Sequence, residues 1–168
     1  MKLPHPEEAR RAVSKGEATD ANRLRRTALA IALCFAVLGA GLVGKGVYIH
    51  AKAALAQLLI HQAWASARDG ERETPPWPWA DTYPVARLTV RELEIDQIVL
   101  AHASERTLAF GPAQLDGSAD PGKPGATVLT GHRDTHFAFL EKLKPGDRAE
   151  IEMPNGAAYR YRVIEKQV

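Results

Sequence analysis

Thr130–Phe137 reads TGHRDTHF, two histidines at spacing four around an arginine and an aspartate. Imidazoles are the side chains best suited to move protons near neutral pH, and at spacing four they can also share a metal. Three chemistries can be built on such a stretch. His132 and His136 could ligate a metal if the segment were helical, but the third ligand would have to come from an unmarked Asp or Glu. A Ser-His-Asp arrangement needs an exposed serine in a strained turn, and Ser104 and Ser118 lie in loops with nothing to mark them. A single histidine could act as general acid and base for a nucleophile elsewhere. Against all three stands the plain alternative of a polar residue at a strand end, hydrogen-bonded to a neighbour. On the residues alone, that alternative and the catalytic one stay open.

Two further motifs fail on inspection. Gly117–Lys123 (GSADPGK) begins like a phosphate-binding loop, but Pro124 stands where Ser or Thr must hold magnesium, and it removes an N–H from the cradle. His132-Arg133-Asp134 imitates a kinase triplet without a glycine-rich loop, a strand lysine or the necessary length.

The elements that position these residues follow from pattern. The chain has 168 residues, room for one domain and an appendage. A net charge of +2 is too small to argue for nucleic acid. Its single cysteine excludes an intrachain disulfide and a Cys-based zinc site. Residues 1–26 form a basic tail ending in Arg23, Arg25 and Arg26. Thr27–Gly44 then runs eighteen residues without a charge, and apart from Lys45 the apolar run reaches Ile49. As a helix, residues 27–49 span about 34 Å, enough to cross a membrane. The arginines put the N-terminus in the cytoplasm and the rest outside. Cys34 lies in mid-membrane, where a thiol is inert packing.

Residues 50–70 predict a juxtamembrane amphipathic helix with Ala51, Leu55, Leu58, Leu59 and Trp64 on its apolar face, stopped by Asp69-Gly70. Residues 71–84 are a connector in which four prolines forbid regular structure, and Trp77 and Trp79 are expected to pack on the next domain. From residue 85 to 168 the period becomes two. Strands are predicted at Val85–Arg91, Ile95–Ala101, Ala126–Thr130, Arg148–Met153 and Ala158–Val163, with a short helix at Phe137–Leu143. The last two strands form a hairpin whose Asn155-Gly156 suits a type I′ turn. The whole reads as an N-terminal transmembrane helix plus a mainly β domain, a small barrel or sandwich.

A resemblance sharpens this. LAFGP at 108–112, PGKPG at 121–125, VLTGHRDTHF at 128–137, Leu140, Leu143, Pro145-Gly146-Asp147 and YRYRV at 159–163 together resemble a sortase. The PWPWAD connector and GHRDTHF resemble its Gram-negative branch, class GN, of marine proteobacterial type. Sortases are membrane-anchored cysteine transpeptidases with an eight-stranded β-barrel. The resemblance implies a partial barrel here, with six or so of the eight strands. It implies as partner a substrate protein with a C-terminal sorting signal of LPxTG type, besides membrane lipid at residues 27–49, and neither nucleic acid nor cofactor. His132 would be the catalytic histidine, protonating the departing amine and deprotonating the incoming nucleophile. His136 fits the motif without a catalytic role, and Arg133 and Asp134 are expected to form a salt bridge fixing the loop.

The family also needs a cysteine in a TLxTC-like context and an arginine on the following strand. Both lie downstream of the matched part, and no cysteine follows Cys34. The expectation is therefore a sortase truncated before its nucleophile, inactive as given, in the inner membrane with its domain in the periplasm. The alternative is a non-catalytic, membrane-anchored β-domain that binds a partner or an envelope component.

Overall fold

The computed structural model describes residues 6–71 and 73–167. Helix α1 covers Pro6–Arg68, and the chain divides into two compact units, Met1–His50 and Ala51–Val168. In the first unit, Leu29, Phe35, Leu42 and Val47 are all exposed. Within it Thr27–Gly44 carries no charge, and a stretch with apolar side chains on every side has no polar face to give to water. This helix is long and apolar enough to cross a membrane.

In the second unit, α1 buries Ala56, Ile60, Ala63, Trp64 and Ala67. These positions step by four and three, one stripe of a helix. The observed stripe differs from the expected one, because Leu55 and Leu58 are exposed. Alanines 56, 63 and 67 let the backbone approach its neighbours closely, which leucines in their place would prevent. From Ala51 onward the helix falls in the same compact unit as the β domain. The helix ends where expected. Gly70 takes φ of 104°, its N–H donates to the Ala67 carbonyl (3.3 Å), and the Glu71 N–H donates to the Ser66 carbonyl (3.1 Å). That pair of bonds is a Schellman cap, and it requires a residue free to be left-handed.

Six strands follow: β1 Pro84–Val90, β2 Ile95–Leu100, β3 Ala113–Gln114, β4 Leu129–Thr130, β5 Arg148–Glu152 and β6 Ala158–Arg162. They form one curled sheet in the order β4-β3-β2-β1-β5-β6. The β2–β3 pair is parallel and the others are antiparallel. Parallel neighbours need a crossover, here supplied by the single-turn helix α2 (Glu105–Leu108), whose N–H at Thr107 is capped by Ser104 Oγ.

The pleat divides the apolar residues between two clusters. Ala86, Leu88 and Val90 of β1 join Val99, Phe139 and Ile151 on the inner face. Ile98 and Leu100, one register step from Val99, face the other way and pack with Ile60, Trp64 and Ala113. The run Ile98-Val99-Leu100 is apolar without alternation because both faces of β2 are covered. Trp77 packs against Phe110 edge-on, with centroids 4.9 Å apart, as expected. Trp79 does not pack and is 82% exposed.

Three local expectations are corrected. The strand at 126–130 shrinks to Leu129–Thr130, because Gly125 and its neighbours turn to contact Ala119. The short helix expected at Phe137–Leu143 is a 3₁₀ helix with narrower bounds, Ala138–Glu141. In the hairpin only Gly156 has positive φ (82°), and its N–H donates to the Met153 carbonyl (2.9 Å). Pro154 fixes the first central position at negative φ, which excludes type I′ and selects a type I turn followed by a left-handed glycine.

Candidate functional site

β4 ends at Thr130, and Gly131 delivers the chain into the loop that carries His132. The glycine lets the two pack closely: a Cβ there would stand 3.2 Å from the ring of Phe137, which would have to shift slightly. Phe137 in turn lies edge-on to Phe139 at 5.9 Å, and Phe139 is buried in the inner cluster. The loop is closed on itself by the His132 carbonyl, which accepts from Phe137 N (3.0 Å) and Thr135 N (3.3 Å). His132 itself is exposed, its imidazole free to meet a solvent-side reactant.

The structure brings His136 into the same turn but in a different environment. His136 is half-buried, and its carbonyl accepts from Gln97 Nε2 at 2.8 Å. Burial, and then the neighbouring His132, hold its pKa below the ordinary 6.5, while a hydrogen bond with the Ala109 backbone works the other way. The two histidines therefore separate by environment: one exposed, one kept neutral. Among the described residues, no group of three or more His, Cys, Asp or Glu side chains converges.

Arg133 and Asp134 do meet, at 3.7 Å, but their side chains are 83% and 90% exposed. A pair so solvated contributes little, so it does not fix the loop as expected. Arg133 instead walls a cavity of about 430 Å³ with Phe137, Leu140, Leu143, Val163 and Lys166. Lys166 Nζ reaches across to the Glu141 carbonyl (2.7 Å). The arrangement is an apolar trough whose rim carries Arg133 and Lys166 together with Glu141 and Glu165, next to the loop of the exposed His132.

The serines set aside on sequence are engaged locally. Ser104 caps α2, and Ser118 Oγ donates to the Leu115 carbonyl (2.7 Å). A second histidine contact was not anticipated: His102 Nδ1 lies 2.9 Å from Asp116 Oδ1, with His102 at φ of 57°. Arg160 is held by Glu150 (2.9 Å), which keeps that carboxylate below its usual range. Gln97 is the other residue that sequence reasoning passed over. Its readable signal is a polar side chain at an inward strand position, between Ile95 and Val99.

Residues 88–168 match the sortase domain family. Among solved structures, a sortase D5 transpeptidase of Clostridium perfringens superposes with a TM-score of 0.55 at 14% identity, over 67% of this chain and 73% of that one. Sortase C-1 of Actinomyces oris gives a TM-score of 0.45 at 27% identity, over 63% and 74%. Sortase C1 of Streptococcus agalactiae gives 0.45 at 26%, over 49% and 45%. The comparison with curated proteins found no match. The exposed His132 and the trough beside it lie inside the matched region, and from residue 88 onward the chain is similar in sequence to the sortase domain family and has a sortase-like fold.

Proposed function

We propose that this chain is the membrane-anchored, histidine-bearing portion of a Gram-negative (class GN) sortase, a cysteine transpeptidase acting on a C-terminal sorting signal of LPxTG type. The observation that carries the reading is His132: exposed, at the end of β4, on a loop pinned to the core, inside the matched region.

In the proposed reaction a thiolate attacks the backbone carbonyl of the sorting signal. The tetrahedral adduct collapses as the C–N bond breaks, and His132 gives its proton to the departing amine. The acyl-enzyme thioester is then attacked by an amine or water, whose proton returns to His132 as the thiolate leaves. The only thiol among these 168 residues is Cys34, within the apolar helix, so the reading requires a cysteine, and a guanidinium for the oxyanion, from outside them. The open edges at β4 and β6 favour this: a curled sheet closes into a barrel only when further strands pair there. Anchoring in the inner membrane, with the domain in the periplasm, rests on the apolar helix and on Arg23, Arg25 and Arg26 before it.

The test begins with the reading frame beyond codon 168. A TLxTC-like segment is expected within a few dozen codons, and its absence in every frame leaves only the partner-binding β-domain. The full frame, purified in detergent, should form a thioester with a panel of sorting-signal peptides, detected by mass. His132→Ala should lower turnover by about 10³-fold, as loss of a member of a nucleophile–base pair does. Turnover unchanged in His132→Ala would sink the assignment.

A further inference from the structure

Gln97 is out of keeping with its place. Along β2 it lies on the inner face with Ile95 and Val99, opposite Leu88. Its Nε2 donates to the His136 carbonyl at 2.8 Å, while its Oε1 is buried with no hydrogen-bond partner. The amide cannot be turned round, because the His136 carbonyl only accepts. An apolar side chain of the same length would bury the same surface without leaving an unpaired oxygen. What the amide adds is one bond, and that bond ends on the loop of His132.

His136 answers from the other side. Its ring is half-buried, and its own carbonyl is the one Gln97 holds. The residue is thus fixed by its backbone to β2. One bond further along, Phe137 N donates to the His132 carbonyl. Among the described residues, the one charged contact of the loop is Arg133–Asp134, internal to it and solvated, and besides the Gln97 bond no other hydrogen bond or ion pair ties residues 132–136 to the sheet.

We propose that Gln97 is the positioning residue for His132: its amide clamps the His136 carbonyl, and the clamp sets where the His132 imidazole stands. The inference rests on the sortase reading for the use to which His132 is put, and on this geometry alone for the clamp. It gives the backbone of the motif's second histidine a task that is neither proton transfer nor metal binding.

The test uses the full chain in detergent micelles, labelled for NMR. Gln97→Met keeps length and loses the donor. Gln97→His keeps an N–H donor. In Gln97→Met, hydrogen exchange at the Phe137 amide should speed by at least about tenfold and the His132 imidazole signals should shift or broaden. Gln97→His should restore part of the protection. The Ile151 amide, in the sheet, should exchange as before in both. Unchanged exchange at Phe137 in Gln97→Met overturns the proposal, and so does an equal loss at Ile151, which would mean general destabilisation. None of these readouts needs turnover, so an unreactive wild-type full frame would overturn the sortase reading and leave the clamp judged on its own data.

Discussion

At the scale of single residues, the two histidines of one motif differ because one faces water and the other is packed. Desolvation penalises the charged form of His136, so its pKa in the folded chain lies below the unfolded 6.5. The unfolded chain then binds more protons than the folded one as pH falls, and stability is lost in that direction. This contribution is fully present above 6.5 and disappears as pH drops through the lower, folded value. Denaturant midpoints of the full chain in detergent at pH 7.5 and 5 should therefore fall further in wild type than in His136→Gln. Equal falls would mean that His136 is not buried in the neutral form. Glycine 122 shows the same kind of local dictation: a Cβ there would lie 2.0 Å from the Tyr159 ring, so β6 and the loop before β4 meet only because that residue has no side chain.

At the scale of elements, the helix entering the second unit is the chief surprise. A leucine pattern points to Leu55 and Leu58, whereas Ala56, Ile60, Ala63 and Trp64 are buried. Alanine is a weak sequence signal because it is at home on either side of a helix, and it is Ile60 and Trp64, packed with Ile98 and Leu100, that mark the buried face. Ile60 is 1% exposed, so Ile60→Ala should cost about 2–5 kcal/mol through lost burial and a residual cavity. Leu58→Ala, on the exposed side, should change stability by less than about 0.5 kcal/mol. Urea denaturation of the two variants in detergent checks the ordering, and a reversed order would return the leucine face to the core. The hairpin teaches a related lesson: Asn155-Gly156 marks the turn, but Pro154 decides its type.

At the scale of the whole molecule, the proposal places a basic tail on one side of a membrane and the curled sheet on the other. A reporter enzyme that matures only outside the cytoplasm, fused after Gln167, should be active in cells. A cytoplasmic-only reporter at the same place should then be silent, and the opposite pair of results would invert the topology. The sheet itself ends in β4 and β6, strands whose outer edges have no partner among the described residues. The β6 side chains Tyr161 and Arg162 and the following Ile164 are exposed there, with Ile164 at 88%. A curled sheet with these free edges has the form of a half-barrel.

Much of this was legible in the residues. Period-two alternation in β1, the apolar run of β2, the Asp69-Gly70 stop, the uncharged helix and the loop of His132 are all local patterns, imposed by backbone geometry and solvent on neighbours in sequence. The order in which strands pair is not local. Nor is the environment that sets His136 apart from His132, since it comes from Gln97 and Ala109, far away along the chain. Most of the strands, the helix stop and the apolar span could be read from the residues, because those choices depend on neighbours a few places apart, but β3, α2 and the bounds of β4 could not. Only the tertiary structure decided which helix face is buried, why Arg133–Asp134 holds nothing and what His136 touches, because each depends on groups that folding alone brings together.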